Sequence, residues 1–74
     1  MPLRMFNQRE YEVIQCIIAG HTTYRAIAKC IGYGEKTVQA NLLSIYKQTG
    51  VDNMAGLVLW LVDNGFISGY REGN

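Results

Sequence analysis

A run of residues near the middle of the chain combines hydrogen-bond donors with the features of a helix start. Gly34-Glu35-Lys36-Thr37-Val38-Gln39-Ala40-Asn41 places a lysine, a threonine and an amide side chain in the first turns of a predicted helix. Free backbone amides and short polar or basic side chains in such a turn bind phosphate groups. A shorter helix, predicted over Tyr24 to Ile31, precedes it across a turn that contains two glycines. This order is typical of a helix-turn-helix, whose second helix reads bases in the DNA major groove from its N-terminal part.

Positive charge is concentrated on this pair of predicted helices. Residues 24–48 hold four Lys or Arg and one Glu, a local balance of +3, whereas residues 49–74 hold one Arg and three acids, a balance of −2. The whole chain carries a net charge of only +1. The polarity suits a DNA-facing side, and the small total charge predicts a weak electrostatic attraction.

Hydrophobic periodicity and capping residues predict four helices in total. The first runs over about 8–19, with Asn7 as its N-cap and Glu10 completing a capping box. The second covers 24–31 after Thr22 or Thr23, the third about 35–48, and the fourth about 54–64 after Asp52 or Asn53. The residues predicted to face inward in the first three are Val13, Ile14, Ile17, Ile18, Ala26, Ile27, Cys30, Ile31, Val38, Leu42 and Ile45, with Tyr46 as a further candidate on the third helix.

The predicted fourth helix is apolar on nearly all sides. Its residues 57–62 read Leu-Val-Leu-Trp-Leu-Val without a polar interruption. A helix with one buried face places only about half of these residues in the core of its own domain. The other half must be covered by a second surface, so a further partner for this helix is implied.

Size and composition predict one small all-α domain over residues 1–74, with a core from about 6 to 67 and a frayed tail over 68–74. Hydrophobic residues make up 49% of the chain and there is a single Pro, which argues against disorder. No apolar run approaches the roughly 20 residues that span a bilayer, and the start lacks the apolar segment of a signal peptide. We therefore expect a cytoplasmic protein without a membrane partner.

The sequence offers no set of catalytic or metal-binding residues. His21 has no carboxylate or serine at a telling spacing, and the two cysteines, Cys16 and Cys30, lack the spacing of a zinc site. We expect neither enzymatic activity nor a cofactor or metal. The cysteines are interpreted as small buried hydrophobic residues, and a disulfide between them remains the less favoured alternative in a cytosolic setting.

Several separated motifs resemble the LuxR/GerE-type helix-turn-helix domain. They are Arg9-Glu10-Tyr11-Glu12-Val13-Ile14, Ile27-Ala28, Glu35-Lys36-Thr37-Val38, Ile45-Tyr46-Lys47 and Gly50-Val51, and they occur in the order of the family. The resemblance as a whole covers Phe6 to Ile67. The resemblance implies a four-helix domain that binds double-stranded DNA through its third helix. It also implies a homodimer joined by the fourth helix, with Leu57, Val58, Trp60 and Leu61 as the interface.

The resemblance assigns roles to individual residues. Arg25, Lys36, Thr37 and Lys47 match positions that contact phosphates, and Gln39, Ala40 and Leu43 match positions that face the groove. A glutamine can pair with adenine through two hydrogen bonds, whereas alanine and leucine can touch only a thymine methyl group. Arg9, Glu10 and Glu12 are expected to hold the first helix against the rest of the domain.

The chain departs from the family pattern at basic positions. Gln39 and Asn41 stand where the family usually has Lys and His, Gln48-Thr49 replaces Lys-Leu, and Met54 falls where an Arg is common. These changes remove about three positive charges, which lowers non-specific DNA affinity. The alternative hypothesis is therefore a protein-interaction module, an adaptor or antagonist of a regulator of the same fold, that keeps the domain and binds DNA weakly or not at all.

Overall fold

A computed structural model describes residues 6–67, and within them every regular element is an α-helix. The helices are α1 (Gln8–Ile18), α2 (Tyr24–Ile31), α3 (Glu35–Thr49) and α4 (Met54–Asp63). The all-α, four-helix prediction is confirmed, and each predicted helix boundary lies within one residue of the observed one. The tail predicted to fray, 68–74, lies outside the described residues.

Side-chain caps fix where the helices begin. Asn7 and Glu10 form the predicted capping box at the start of α1. Thr23 and Asn53, rather than their preceding neighbours, accept hydrogen bonds from backbone amides at the starts of α2 and α4. Each such cap satisfies a donor that the helix itself leaves free.

Glycines end α2 and α3. Gly32 and Gly50 adopt left-handed conformations, with φ angles of 78° and 83°, and each donates its amide to a carbonyl of the preceding turn. A residue with a Cβ is strained in this region, so glycine permits the sharp change of direction at both points. The three-residue connection 32–34 thereby brings α2 and α3 into direct packing.

The core lies where α1, α2 and α3 pack on one another, with α4 added against α3. Its buried hydrophobic residues are Phe6, Val13, Ile14, Cys16, Ile17, Ile27, Ala28, Val38, Leu42, Ile45, Leu57 and Leu61. The predicted inward positions of α1 and α3 are confirmed, although Ile18 and Tyr46 are only half-buried.

One inward prediction on α2 is wrong. Cys30 is exposed, whereas Ala28, which was not predicted, is buried. The buried stripe of α2 is centred on Ile27 and Ala28, and Cys30 falls at its edge.

The fourth helix is buried on one side only. Leu57 and Leu61 are fully buried, while Leu59, on the opposite side of the helix, is 60% exposed. Trp60 is half-buried and packs with Phe6 and Phe66 at ring-centroid distances of 6.2 and 5.7 Å.

None of the helices within residues 6–67 is long and apolar enough to cross a membrane.

Candidate nucleic-acid interface

The residues predicted to face DNA form one stripe along α3. Successive residues of an α-helix are about 100° apart, so positions 36, 40, 43 and 47 project in nearly the same direction, with position 39 beside them. The buried residues Val38, Leu42 and Ile45 project to the opposite side. All five stripe residues, Lys36, Gln39, Ala40, Leu43 and Lys47, are exposed, and Leu43 is 52% exposed.

Thr37 lies at the margin of this stripe. It belongs to the first turn of α3 and is half-buried. The N-cap of α3 is Gly34, which has no side chain to occupy the free amides of that turn. These amides, together with the positive end of the helix dipole, remain available to a negatively charged group beside Lys36 and Thr37.

Arg25 on α2 lies next to the start of α3. Its Nε is 3.5 Å from the Oε2 of Glu35, and the two side chains are 78% and 54% exposed. An ion pair this exposed is worth little, because water and salt screen it. Arg25 can therefore exchange the carboxylate for a phosphate, whereas Glu35 adds negative charge to the same surface.

A buried carboxylate on α1 sets the position of α3. Glu10 is 5% exposed and accepts hydrogen bonds from the Ser44 hydroxyl at 2.6 Å and from the Gln48 amide at 3.1 Å, in addition to the backbone amide of Asn7. Burial alone raises the pKa of Glu10, but these donors outweigh it, so the pKa lies below its ordinary value. The ionised carboxylate thus joins α1 to α3 on a side away from the exposed stripe.

The turn between α2 and α3 is held by a second set of contacts from α1. The Tyr33 hydroxyl donates a 2.7 Å hydrogen bond to Glu12, and the Arg9 guanidinium lies 5.0 Å from the centre of the Tyr33 ring. The hydrogen bond to Glu12 raises the pKa of Tyr33 and lowers that of Glu12. Arg9, Glu10 and Glu12 therefore all bind the first helix to the rest of the domain, as expected.

Two polar side chains of α3, those of Gln48 and Asn41, are directed away from the stripe. The Gln48 amide donates hydrogen bonds to Glu10 and to Ser44. Asn41 is turned inward, and its Nδ2 is buried without a hydrogen-bond partner among residues 6–67. Both side chains point away from the stripe, so neither adds a donor to it.

The residues predicted for a dimer interface do not share one surface. Leu57 and Leu61 are fully buried within the single chain and are not accessible to a second copy, so the prediction is corrected for these two. Val58 and Trp60 are half-buried. Leu59 is the most exposed large hydrophobic residue of α4. Its exposure was not predicted, because the unbroken apolar run has no periodicity that distinguishes one side of the helix from the other.

The described residues contain no grouping suited to a metal. Within 6–67, no cluster of three or more His, Cys, Asp or Glu side chains comes together.

Comparison with known proteins adds no assignment, since no protein family, curated protein or solved structure matches this chain. The exposed stripe of α3 and the residues beside it are therefore the candidate functional surface.

Proposed function

We propose that the protein is a small DNA-binding transcriptional regulator with a LuxR/GerE-type helix-turn-helix domain. In this proposal α3 enters the major groove of double-stranded DNA, and α4 joins two copies into a homodimer. Two recognition helices in such a dimer lie about 34 Å apart, one turn of the double helix.

The observation that carries the proposal is the stripe of exposed residues on α3, opposite its buried face. Lys36 and Lys47 mark its two ends, with Gln39, Ala40 and Leu43 between them. An exposed helix face bounded by basic residues, with the Gln39 amide at one side, suits a groove flanked by phosphates. No side chain caps α3 at Gly34, so the backbone amides at the N-terminal end of the stripe remain free to bind a phosphate.

Each residue near the stripe has a role in this proposal. Arg25, Lys36 and Lys47 neutralise phosphates, and Thr37 donates its hydroxyl to one beside the free amides of α3. Gln39 pairs with an adenine edge, while Ala40 and Leu43 contact thymine methyl groups.

The dimer contact is assigned to the outer side of α4. Leu59 is 60% exposed, and Val58 and Trp60 flank it. Burying these side chains against a second copy removes apolar surface from water, which favours association.

The phosphate contacts are tested by salt-dependent binding to a duplex of random sequence. We expect Lys36→Gln and Lys47→Gln to weaken binding to all sequences and each to reduce the slope of log affinity against log salt by about 0.9. Gln15→Glu is the matched control, because it lowers the net charge equally at an exposed position of α1, away from α3. Equal losses in all three variants would show that the net charge, not the stripe, sets affinity.

The base contact is tested after selection of a preferred duplex. Gln39→Ala should relax the preference at one base pair by about 1–3 kcal/mol while leaving affinity for random DNA nearly unchanged. A variant that discriminates between sequences as well as the parent does would remove Gln39 from base recognition.

The second candidate function is a protein-interaction module that has kept the fold. Leu43 at 52% exposure in the middle of α3 and Leu59 at 60% exposure on α4 favour it, because such side chains suit an apolar partner. In that case the partner is another protein of the same fold, docked on α4. A chain that sediments as a stable monomer and has no DNA affinity at low salt would support this candidate against the first.

A further inference from the structure

Two cysteines from different helices meet at the surface between α1 and α2. The Sγ atoms of Cys16 and Cys30 are 2.8 Å apart, and both thiols are free. Cys16 lies near the end of α1 and Cys30 near the end of α2, and the two helices pack directly against each other. The contact therefore brings together two residues that are 14 positions apart in the chain.

The two thiols differ in accessibility. Cys16 is buried and Cys30 is exposed. Burial, reinforced by the hydrogen bond to Cys30, raises the pKa of Cys16 to about 12, so Cys16 is a poor first nucleophile. Both cysteines line an open groove with Tyr11 and Ile31, and the exposed Cys30 is accessible to a small oxidant.

We propose that Cys16 and Cys30 are a redox-active pair that forms a reversible disulfide between α1 and α2 on exposure to a hydroperoxide. This modification site is separate from the stripe on α3 and does not depend on DNA binding. An exposed thiol with a second thiol already in contact is the arrangement that converts a first oxidation into a disulfide before further oxidation occurs.

The reaction balances with hydrogen peroxide as the oxidant. The Cys30 thiolate attacks one peroxide oxygen, forming an S–O bond as the O–O bond breaks, and the departing hydroxide takes up a proton to become water. The Cys16 sulfur then attacks the sulfur of the resulting Cys30 sulfenic acid, forming the S–S bond as the S–O bond breaks. The Cys16 proton leaves with the hydroxyl as a second water. Two thiols lose two electrons in all, and peroxide is reduced to two waters.

The disulfide would stabilise the end of α2. Ile27 and Ala28 are the buried residues of α2, whereas Cys30, one residue before the end of the helix, is exposed. A bond from Cys16 to Cys30 closes a loop of 15 residues, counted from the sequence. Constraining the unfolded chain in this way is expected to raise the melting temperature by roughly 10–20 °C.

The test treats the reduced full chain with a small excess of hydrogen peroxide and measures intact mass, free thiols and the melting curve. We expect the loss of both thiols with a mass decrease of about 2 Da, at a rate independent of protein concentration, and full reversal by dithiothreitol. The melting temperature should rise as the thiols disappear and fall again on reduction.

Two variants make the test specific. Cys30→Ser changes an exposed residue and leaves only the buried thiol, so it should keep one unreacted thiol and show no shift in melting temperature. Cys16→Ala should accumulate a Cys30 sulfenic acid that dimedone captures. Addition of oxygen atoms to Cys30 in the parent chain without a cross-link would overturn the proposal, as would a disulfide that forms only between two chains.

Discussion

Replacement of Glu10 by alanine tests the contact that places α3 against α1. The wild-type carboxylate is nearly inaccessible and accepts three hydrogen bonds, from Ser44, Gln48 and the backbone amide of Asn7. Alanine removes the acceptor from all three donors at once and also breaks the capping box of α1. The helices themselves stay amphipathic, so the effect should appear in stability rather than in helix content.

The expected loss is about 3 kcal/mol. A hydrogen bond to a charged group contributes roughly 1.5–3 kcal/mol, and loss of a cap costs about 1 kcal/mol. The full sum is not reached because Gln48 is exposed and Ser44 only half-buried, so water can replace the carboxylate at both donors. A chain of this size has a total stability of about 4–11 kcal/mol, so the loss is a large fraction of it.

The measurement is urea unfolding followed by circular dichroism at low temperature. Gln15→Ala is the control, since Gln15 is an exposed residue of α1 and should change stability by less than about 0.5 kcal/mol. We expect a large shift of the midpoint for Glu10→Ala and none for the control. A Glu10→Ala variant as stable as the control would refute the reasoning that this carboxylate joins the two helices.

The same contact predicts a dependence on pH. The folded-state pKa of Glu10 lies below its ordinary value of 4.5. Ionised Glu10 therefore stabilises the fold fully above pH 4.5, and this contribution is lost as the pH falls below 4.5 through the folded-state pKa. Glu10→Gln should flatten the stability profile in that window.

Three further predictions concern single side chains. Glu35→Gln should tighten binding to random DNA at low salt by roughly 3- to 10-fold, because it removes a negative charge beside Arg25. Fluorescence anisotropy measures the affinity, and an unchanged value would show that the DNA phosphates do not lie near Arg25 and Glu35. Asn41→Leu should raise the free energy of unfolding by roughly 1 kcal/mol, since it replaces a buried donor that has no partner among residues 6–67. Urea unfolding measures this, and a lower stability of the variant would show that the amide makes a stabilising hydrogen bond. Leu59→Arg should reduce self-association in sedimentation without lowering the melting temperature, whereas Leu61→Arg should unfold the chain, because Leu61 is fully buried. Equal association of Leu59→Arg and the parent would exclude this side of α4 as an interface.

Helix positions were predictable because their signals are local. The capping box of Asn7 and Glu10, and the glycines that end α2 and α3, act within a few residues, and the observed boundaries follow them. The exposure of the α3 stripe was predictable for the same reason, since the spacing of Val38, Leu42 and Ile45 defines the buried side.

Contacts between distant residues were not predictable in the same way. Gln48 reaches Glu10 across 38 positions, and no local pattern in α3 indicates that its amide faces α1 rather than solvent. In α4 the uninterrupted apolar run left both sides equivalent, so the burial of Leu57 and Leu61 and the exposure of Leu59 depend on how that helix packs. Cys30 was predicted inward because it lies three residues after Ile27, at an apolar helical position. Its exposure at the edge of α2 depends on how α2 packs against α1.

The most direct test of DNA recognition is a titration of the isotopically labelled chain with a random-sequence duplex, followed by backbone NMR shifts at low and moderate salt. The proposal predicts salt-sensitive shifts confined to Arg25, Lys36, Thr37, Gln39 and Lys47, with α1 unaffected. Shifts that are absent even at low salt, where a weakly basic surface should still bind, would contradict DNA binding by α3 and direct attention to protein partners of α4.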